Sequence, residues 1–300
     1  VIKRTLHFGN PVYLSTKNEQ LVVSYPEKEM ADKTVAIEDI GMVVLEHKQI
    51  TITNALLEKL NLSGSAVVHC NSQHMPIGLL LPLNGHSEQN ERIRHQLAAS
   101  IPLKKNLWQQ TIKQKILNQA ELLQRRNKNI KNMLYWSKEV TSGDVMNYEA
   151  RAAAYYWQNL FDLPSFNRHQ NGEAPNNLLN YGYAILRAVC ARALVSSGML
   201  PVVGIHHANK YNAYCLADDI MEPYRPVVDA LVCELIVSHG LPETLAPEHK
   251  KLLLQIPVLD VKIDGQTSPL MVAMSRTTAS LYDCFAGKSR RILYPAHADG

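Results

Sequence analysis

Residues 204–229, GIHHANKYNAYCLADDIMEPYRPVVD, hold side chains whose types and spacing could do chemistry. His206 and His207 follow an apolar run ended by Gly204, and Asp218, Asp219 and Glu222 come about one loop later. A helix opening over Leu216–Met221 puts Asp219 three residues and Asp218 four residues before Glu222, so both pairs share a face. One imidazole among several carboxylates suits a hard or borderline divalent cation, Mg2+ or Mn2+, better than a soft one. Such a cation polarises a phosphodiester oxygen and activates a hydroxyl nucleophile. Plainer roles compete. Asp218 and Asp219 also suit the positive end of a helix dipole. Adjacent histidines project differently, so at most one is a ligand. Cys215 or Cys233 with a histidine lacks strong zinc spacing.

Three elements must bring these groups together. The cap signal Thr141-Ser142-Gly143-Asp144 precedes a helix expected from about Val145 to Phe161. On it Glu149 shares a side with Ala153, Tyr156 or Trp157, and Leu160, and a carboxylate among apolar neighbours needs a partner or a metal. Asn176–Gly198 is apolar almost all round, the mark of a central core helix. Pro223 and Pro226 predict a bend directly after Glu222, and Asp229 shares the face of Glu222 if the helix continues.

Charge suggests what such a centre acts on. Residues 92–138 hold eleven Lys or Arg against one acid, Glu121, while the rest of the chain is net acidic. A basic block beside an acidic motif points to a polyanionic substrate. Leu103, Leu107, Ile112, Ile116, Ala120 and Leu123 recur near helical spacing after Pro102, which leaves the lysines and arginines for the solvent face.

Residues 1–83 read differently, as short apolar or alternating runs punctuated by turns, which predicts a small β-sandwich. Thr53 or Asn54 caps a short helix over Ala55–Leu60. Polar residues 84–95 form the expected linker to a larger all-α domain, residues 96–300, in an α+β protein. Residues 241–283 read as shorter helices with a loop at Asp264-Gly265, and the basic tail GKSRRILYP is expected to order on a partner. Five cysteines without a CxxC suit a reducing cytoplasm, no charged-then-apolar leader opens the chain, and no uninterrupted apolar stretch approaches the roughly 20 residues of a spanning helix. There is no GxSxG, P-loop or dinucleotide fingerprint.

Three motifs, DVMNYEARAAAYYW (144–157), NNLLNYGYAILRA (176–188) with GMLPVVGIHH (198–207), and LADDIMEPYRPVVD (216–229), closely resemble the CRISPR-associated spacer-acquisition integrase of the type II lineage, the larger of the two universal adaptation proteins. The resemblance extends over nearly the whole chain. It implies an N-terminal β-sandwich that dimerises, an all-α catalytic domain, and a heterohexamer in which two homodimers bracket a dimer of a small ferredoxin-like adaptation protein. It also implies a metal-dependent transesterification in which the 3′-hydroxyls of a short duplex attack a CRISPR repeat, with nuclease activity at the same site. The large RNA-guided effector and a ring-shaped accessory protein are further partners in type II systems. The family's ligands, a helix glutamate, the histidine closing a Gly-x-x-His pattern and a later acid, fall on Glu149, His207 and Glu222. Asp219 occupies the other acid position, and Asn180 and Arg225 fall in supporting places. On this reading Lys104, Lys105, Lys113, Lys115, Arg125, Arg126 and Arg225 contact DNA phosphates. The competing classes are a non-enzymatic DNA-binding scaffold and a small-molecule metallohydrolase.

Overall fold

A computed structural model describes residues 3–27, 30–163, 166–169 and 172–296. The chain forms two compact units, Val1–Ser87 and Glu88–Gly300. The break falls inside the expected linker, but the linker's second half is helical.

The first unit runs β1 (Arg4–Phe8), β2 (Tyr13–Lys17), β3 (Gln20–Ser24), β4 (Lys33–Ala36), β5 (Ile40–Leu45), β6 (Thr51–Ile52), α1 (Asn54–Leu62), β7 (Ala66–Cys70) and β8 (Pro76–Leu80). One sheet has the order β1-β5-β7-β8 and the other β4-β3-β2-β6. β5 pairs in parallel with β1 and β7 and is buried along nearly its whole length, as a central parallel strand must be. β3 alternates instead, with Leu21 and Val23 inward. Thr53 caps α1 by accepting a hydrogen bond from the Leu56 N–H. Leu14 and Leu21 from one sheet, Ile40, Val43 and Val67 from the other, and Leu56 and Leu60 from α1 meet in one apolar cluster.

The second unit opens with α2 (Gln89–Ala98), α3 (Ile101–Arg125), α4 (Lys131–Glu139), α5 (Tyr148–Leu160), α6 (Asn176–Ser196) and α7 (Cys215–Met221). A 3-10 turn, Glu222–Tyr224, leads to α8 (Arg225–His239) and α9 (Pro247–Leu253). β9 (Asp260–Ile263), β10 (Gln266–Pro269), α10 (Leu270–Phe285) and β11 (Pro295–Ala296) complete it. The apolar α6 packs against α7, α8, α9 and α10. Close approach to α8 requires Gly182, where a Cβ would lie 2.5 Å from Val228 Cγ1. Among the described residues α6 alone is long and apolar enough to cross a bilayer, and 72% of that window is buried inside the protein.

Two expectations for this unit fail. It is not all-α, because β10-β9-β11 form a small sheet. Asp264 and Gly265, both at positive φ, make the two-residue turn that joins β9 to β10. Nor does the tail wait for a partner. Ile292 is buried, the Tyr294 hydroxyl pairs with Thr111 Oγ1 at 2.7 Å, and Pro295–Ala296 add to β9.

Candidate active site

Glu149 enters from the first turn of α5. Asn147 ahead of it is left-handed, and the buried Asp144 carboxylate accepts from the Tyr148 and Glu149 N–H groups at 3.0 and 2.9 Å. These bonds satisfy the helix start and fix the Glu149 backbone. Lys115 comes from the inner stripe of α3, and its Nζ lies 2.7 Å from Glu149 Oε1 and 2.7 Å from Glu222 Oε2. Arg225 Nε approaches the other Glu222 oxygen at 2.9 Å. Proline at 223 breaks the helix after α7, and the tight turn carries Glu222 inward, where its side chain is 6% exposed.

The charges of this cluster hold one another. Burial pushes the Glu222 carboxyl up, but Arg225 and Lys115 outweigh it and leave it below the ordinary range. Burial likewise lowers Lys115, but Glu222 and Glu149 outweigh it and leave the ammonium above its usual value. Arg225 is also held above its ordinary value, because Glu222, then Tyr183, overcome the cost of burial. The Lys115–Glu222 contact has ion-pair distance without hydrogen-bond angles, so the buried Oε2 has no hydrogen-bond donor.

His207 is set by a loop wrapped around one carboxylate. Asp219, with no exposed surface, accepts from the Ile205 and His206 N–H groups at Oδ2 and from the His207 N–H at Oδ1, at 2.7, 3.0 and 3.1 Å. Its Oδ1 also meets His207 Nδ1 at 2.5 Å. A carboxylate only accepts, so Nδ1 carries a proton, and in the neutral ring Nε2 holds the lone pair. The bond to Asp219 raises the basicity of His207 against the opposing effect of burial. The loop closes this tightly because residue 204 is glycine. A Cβ there would lie 2.3 Å from the His207 carbonyl oxygen and 2.9 Å from Asp219 Oδ2. His206 stacks on the buried Trp108, ring centroids 4.0 Å apart, and the His207 ring meets the same indole edge-on at 5.7 Å. Gln96 of α2 braces the same loop through the Leu200 N–H and the Leu200 and Val203 carbonyls, at 2.9, 3.0 and 3.0 Å.

Glu149 and Glu222 thus meet at one ammonium, and His207 and Glu222 feel each other's charge. Asp218 and Asp219 are engaged by other partners than Glu222. Asp218 pairs with Arg187 at 2.6 Å and Asn212 at 2.7 Å, and both oxygens of Asp219 serve the loop. Asp229 lies behind the site, accepting from the Tyr156 and Tyr183 hydroxyls at 2.7 and 2.5 Å. Arg225 and Arg168 lie over the Tyr183 ring, and Arg168 donates to Asn180 at 2.7 Å. Among the described residues no three His, Cys, Asp or Glu side chains already close on one point, and the Lys115 ammonium stands between Glu149 and Glu222. The donor set still fits a hard divalent cation: two carboxylates, one of them with a buried oxygen short of a donor, and an imidazole nitrogen with its lone pair free of Asp219.

Of the cations expected on DNA, Lys105 and Arg125 are exposed and Lys104, Lys113 and Arg126 are half-buried. Arg125 pairs with Glu121 at 2.9 Å and Arg126 with Asp162 at 3.3 Å. Lys115 belongs elsewhere: it is 11% exposed at its side chain and turned inward, so it does not lie on that surface. Its spacing from Trp108, Ile112 and Gln119, all buried on the same stripe of α3, is the signal that would have found it. Trp108, Gln96 and Arg187 carried no local mark, since their partners lie far along the chain.

The family model for CRISPR associated protein Cas1 matches residues 7–255. The CRISPR-associated endonuclease Cas1 of Neisseria meningitidis serogroup C is 36% identical over 279 residues, covering 92% of this chain and 90% of its own. A casposase bound to its integration product has a similar fold, with TM-score 0.79, 19% identity and coverage of 97% and 92% of the two chains. A chain of a Cas6-RT-Cas1–Cas2 complex has TM-score 0.73 and 19% identity, matching 96% of this chain and 35% of its own. The chain belongs to the Cas1 family of CRISPR-associated proteins.

Proposed function

We propose that this protein is a divalent-metal-dependent DNA integrase, with endonuclease activity at the same centre, that inserts short duplexes into a CRISPR array. The observation that carries this reading is the meeting of Glu149 and Glu222 at one buried cation, beside a histidine oriented by Asp219. Glu149, Glu222 and Nε2 of His207 would hold Mg2+ or Mn2+, and Asp219 would act through the imidazole rather than touch the ion. When bound, the cation would polarise the scissile phosphodiester and acidify the attacking hydroxyl. The Arg225 guanidinium, fixed by Glu222 and the Tyr183 face, stabilises negative charge developing nearby. A 3′-oxygen of the captured duplex bonds to phosphorus, the bond to the repeat's 3′-oxygen breaks, and that oxygen takes the proton. One phosphodiester replaces another, so no external energy source is needed.

Lys104, Lys105, Lys113, Arg125 and Arg126 form the track for duplex DNA. Contacts to phosphate fix position without reading sequence, which suits capture of arbitrary fragments. The assembly we propose contains a homodimer through the sandwich-like first unit, two of which bracket a dimer of the small ferredoxin-like adaptation protein. A solved complex containing Cas1 and Cas2 supports that partner. The type II effector and the ring-shaped accessory protein complete the proposed set.

The test is incubation of the protein with its small partner, Mg2+ or Mn2+, a short duplex and a repeat-bearing plasmid, followed by a search for covalently joined strands. Glu149→Ala and His207→Ala are expected to abolish joining while leaving DNA binding intact. Joining that survives in both variants rejects the assignment; no joining by the wild type leaves the DNA-binding scaffold as the better reading.

A further inference from the structure

We propose that the Lys115 ammonium holds the place of the divalent cation between Glu149 and Glu222, and that cation binding expels it. The inference rests on the metal-centre reading above and concerns a residue to which that reading gives no chemical role. Nζ stands 2.7 Å from an oxygen of each carboxylate. It is carried on the inward stripe of the 25-residue helix α3, not on a loose surface arm. Two carboxylates this close, one buried and the other 26% exposed, repel each other unless a cation lies between them. In the metal-free protein Lys115 supplies that cation, while Arg225 compensates only the far oxygen of Glu222.

The grip is suited to exchange. Lys115 donates a hydrogen bond to Glu149, and its contact with Glu222 is an ion pair at 2.7 Å. Mg2+ and Mn2+ draw carboxylate oxygens to about 2.0–2.2 Å, closer than an ammonium can, and carry twice its charge. Ammonium and metal ion cannot share one pair of oxygens at contact distance without strong repulsion. Lysine suits the task because its flexible stem can carry the charge away, whereas arginine's planar fork locks onto carboxylates. Lys115 is thus a positioning residue: it keeps Glu149 and Glu222 facing each other until the metal arrives.

The test uses the full chain without DNA and Mn2+ as the probe, followed by calorimetry and thermal melting. Removing the competitor in Lys115→Met is expected to tighten Mn2+ binding about tenfold, within the usual range of coupling between two ligands. Mn2+ should also raise the melting temperature more in Lys115→Met than in wild type. Equal or weaker Mn2+ affinity in Lys115→Met overturns the proposal. Should that variant fail to fold, reductive methylation of wild-type protein decides the matter. The peptide carrying Lys115 should label slowly alone and faster with saturating Mn2+, and unchanged labelling overturns the proposal. Glu149→Gln and His207→Ala separate the two readings. Mn2+ binding undiminished in both sinks the metal centre itself. Binding lost in both yet untouched by Lys115→Met sinks only the place-holder.

Discussion

Asp219 and Glu222 lie three residues apart and do different work. Glu222 faces two cations, whereas Asp219 is spent on a loop and on one ring nitrogen. Replacing Asp219 with Asn keeps its shape but removes the charge that fixes the His207 tautomer. If His207 holds a metal as proposed, an outer partner of this kind is typically worth about 10–100-fold in metal affinity or activity. Strand joining by Asp219→Asn should fall by that order, with duplex affinity unchanged in a gel-shift titration. Asp229 offers a separate test, since burial pushes its carboxyl up to about 6 despite hydrogen bonds from Tyr183 and Tyr156. The folded protein then keeps a proton that the unfolded chain loses near pH 4, so this carboxyl costs stability as pH rises from about 4 to about 6. Asp229→Asn removes that cost. Its stability relative to wild type should improve across that window by on the order of 3 kcal/mol, read by denaturant titration at several pH values. The residue types and spacing, together with the family motifs, single out Glu149, His207 and Glu222 as candidates. They could not divide the acids by role, because that division depends on Arg187, Lys115 and a backbone loop contributed from elsewhere in the chain.

Elements, rather than single side chains, make the site rigid. The loop from Gly204 to His207 can close on Asp219 only without a side chain at 204. Gly204→Ala must push the loop away, which should cost about 1–3 kcal/mol, as overpacking does, and lower the melting temperature by about 2–4 °C for each kcal/mol. Joining should fall with it, because His207 rides on that loop. Helix starts and stops were readable where their chemistry is local: Thr53 before α1, Asp144 before α5, the prolines after α7. The hairpin β9–β10 was missed although Asp264-Gly265 is a strong turn signal, because the flanking strands are short and weakly patterned. Its third strand comes from Pro295–Ala296, a pairing too distant for any local pattern to announce.

Across the chain, positive charge gathers between residues 92 and 138 while the remainder is net negative. That partition was visible in the sequence and drives the strongest expectation at this scale. If six to ten of these cations meet phosphates, duplex affinity should drop about 10³–10⁵-fold between 50 and 200 mM salt. Charge reversal at Lys104, Lys105 and Lys113 should flatten the salt dependence by about 0.9 for each phosphate no longer neutralised. A flat salt response in the wild type would remove the DNA track. Lys115 should not contribute to that slope, for its charge is already answered by Glu149 and Glu222. Binary reading of charge counted it with its neighbours; only the packing of α3 separates it from them.

The amide nitrogen of Asn118 donates to two proline carbonyls, Pro223 at 2.7 Å and Pro295 at 2.9 Å. One side chain thereby laces the bend beneath Glu222 to the last described strand. Trimming the chain ahead of Pro295 would leave half of that knot untied, and a fusion partner grafted just past Ala296 would tug on it. The choice of which end carries an affinity handle is therefore also a choice about how firmly the turn that bears Glu222 is held.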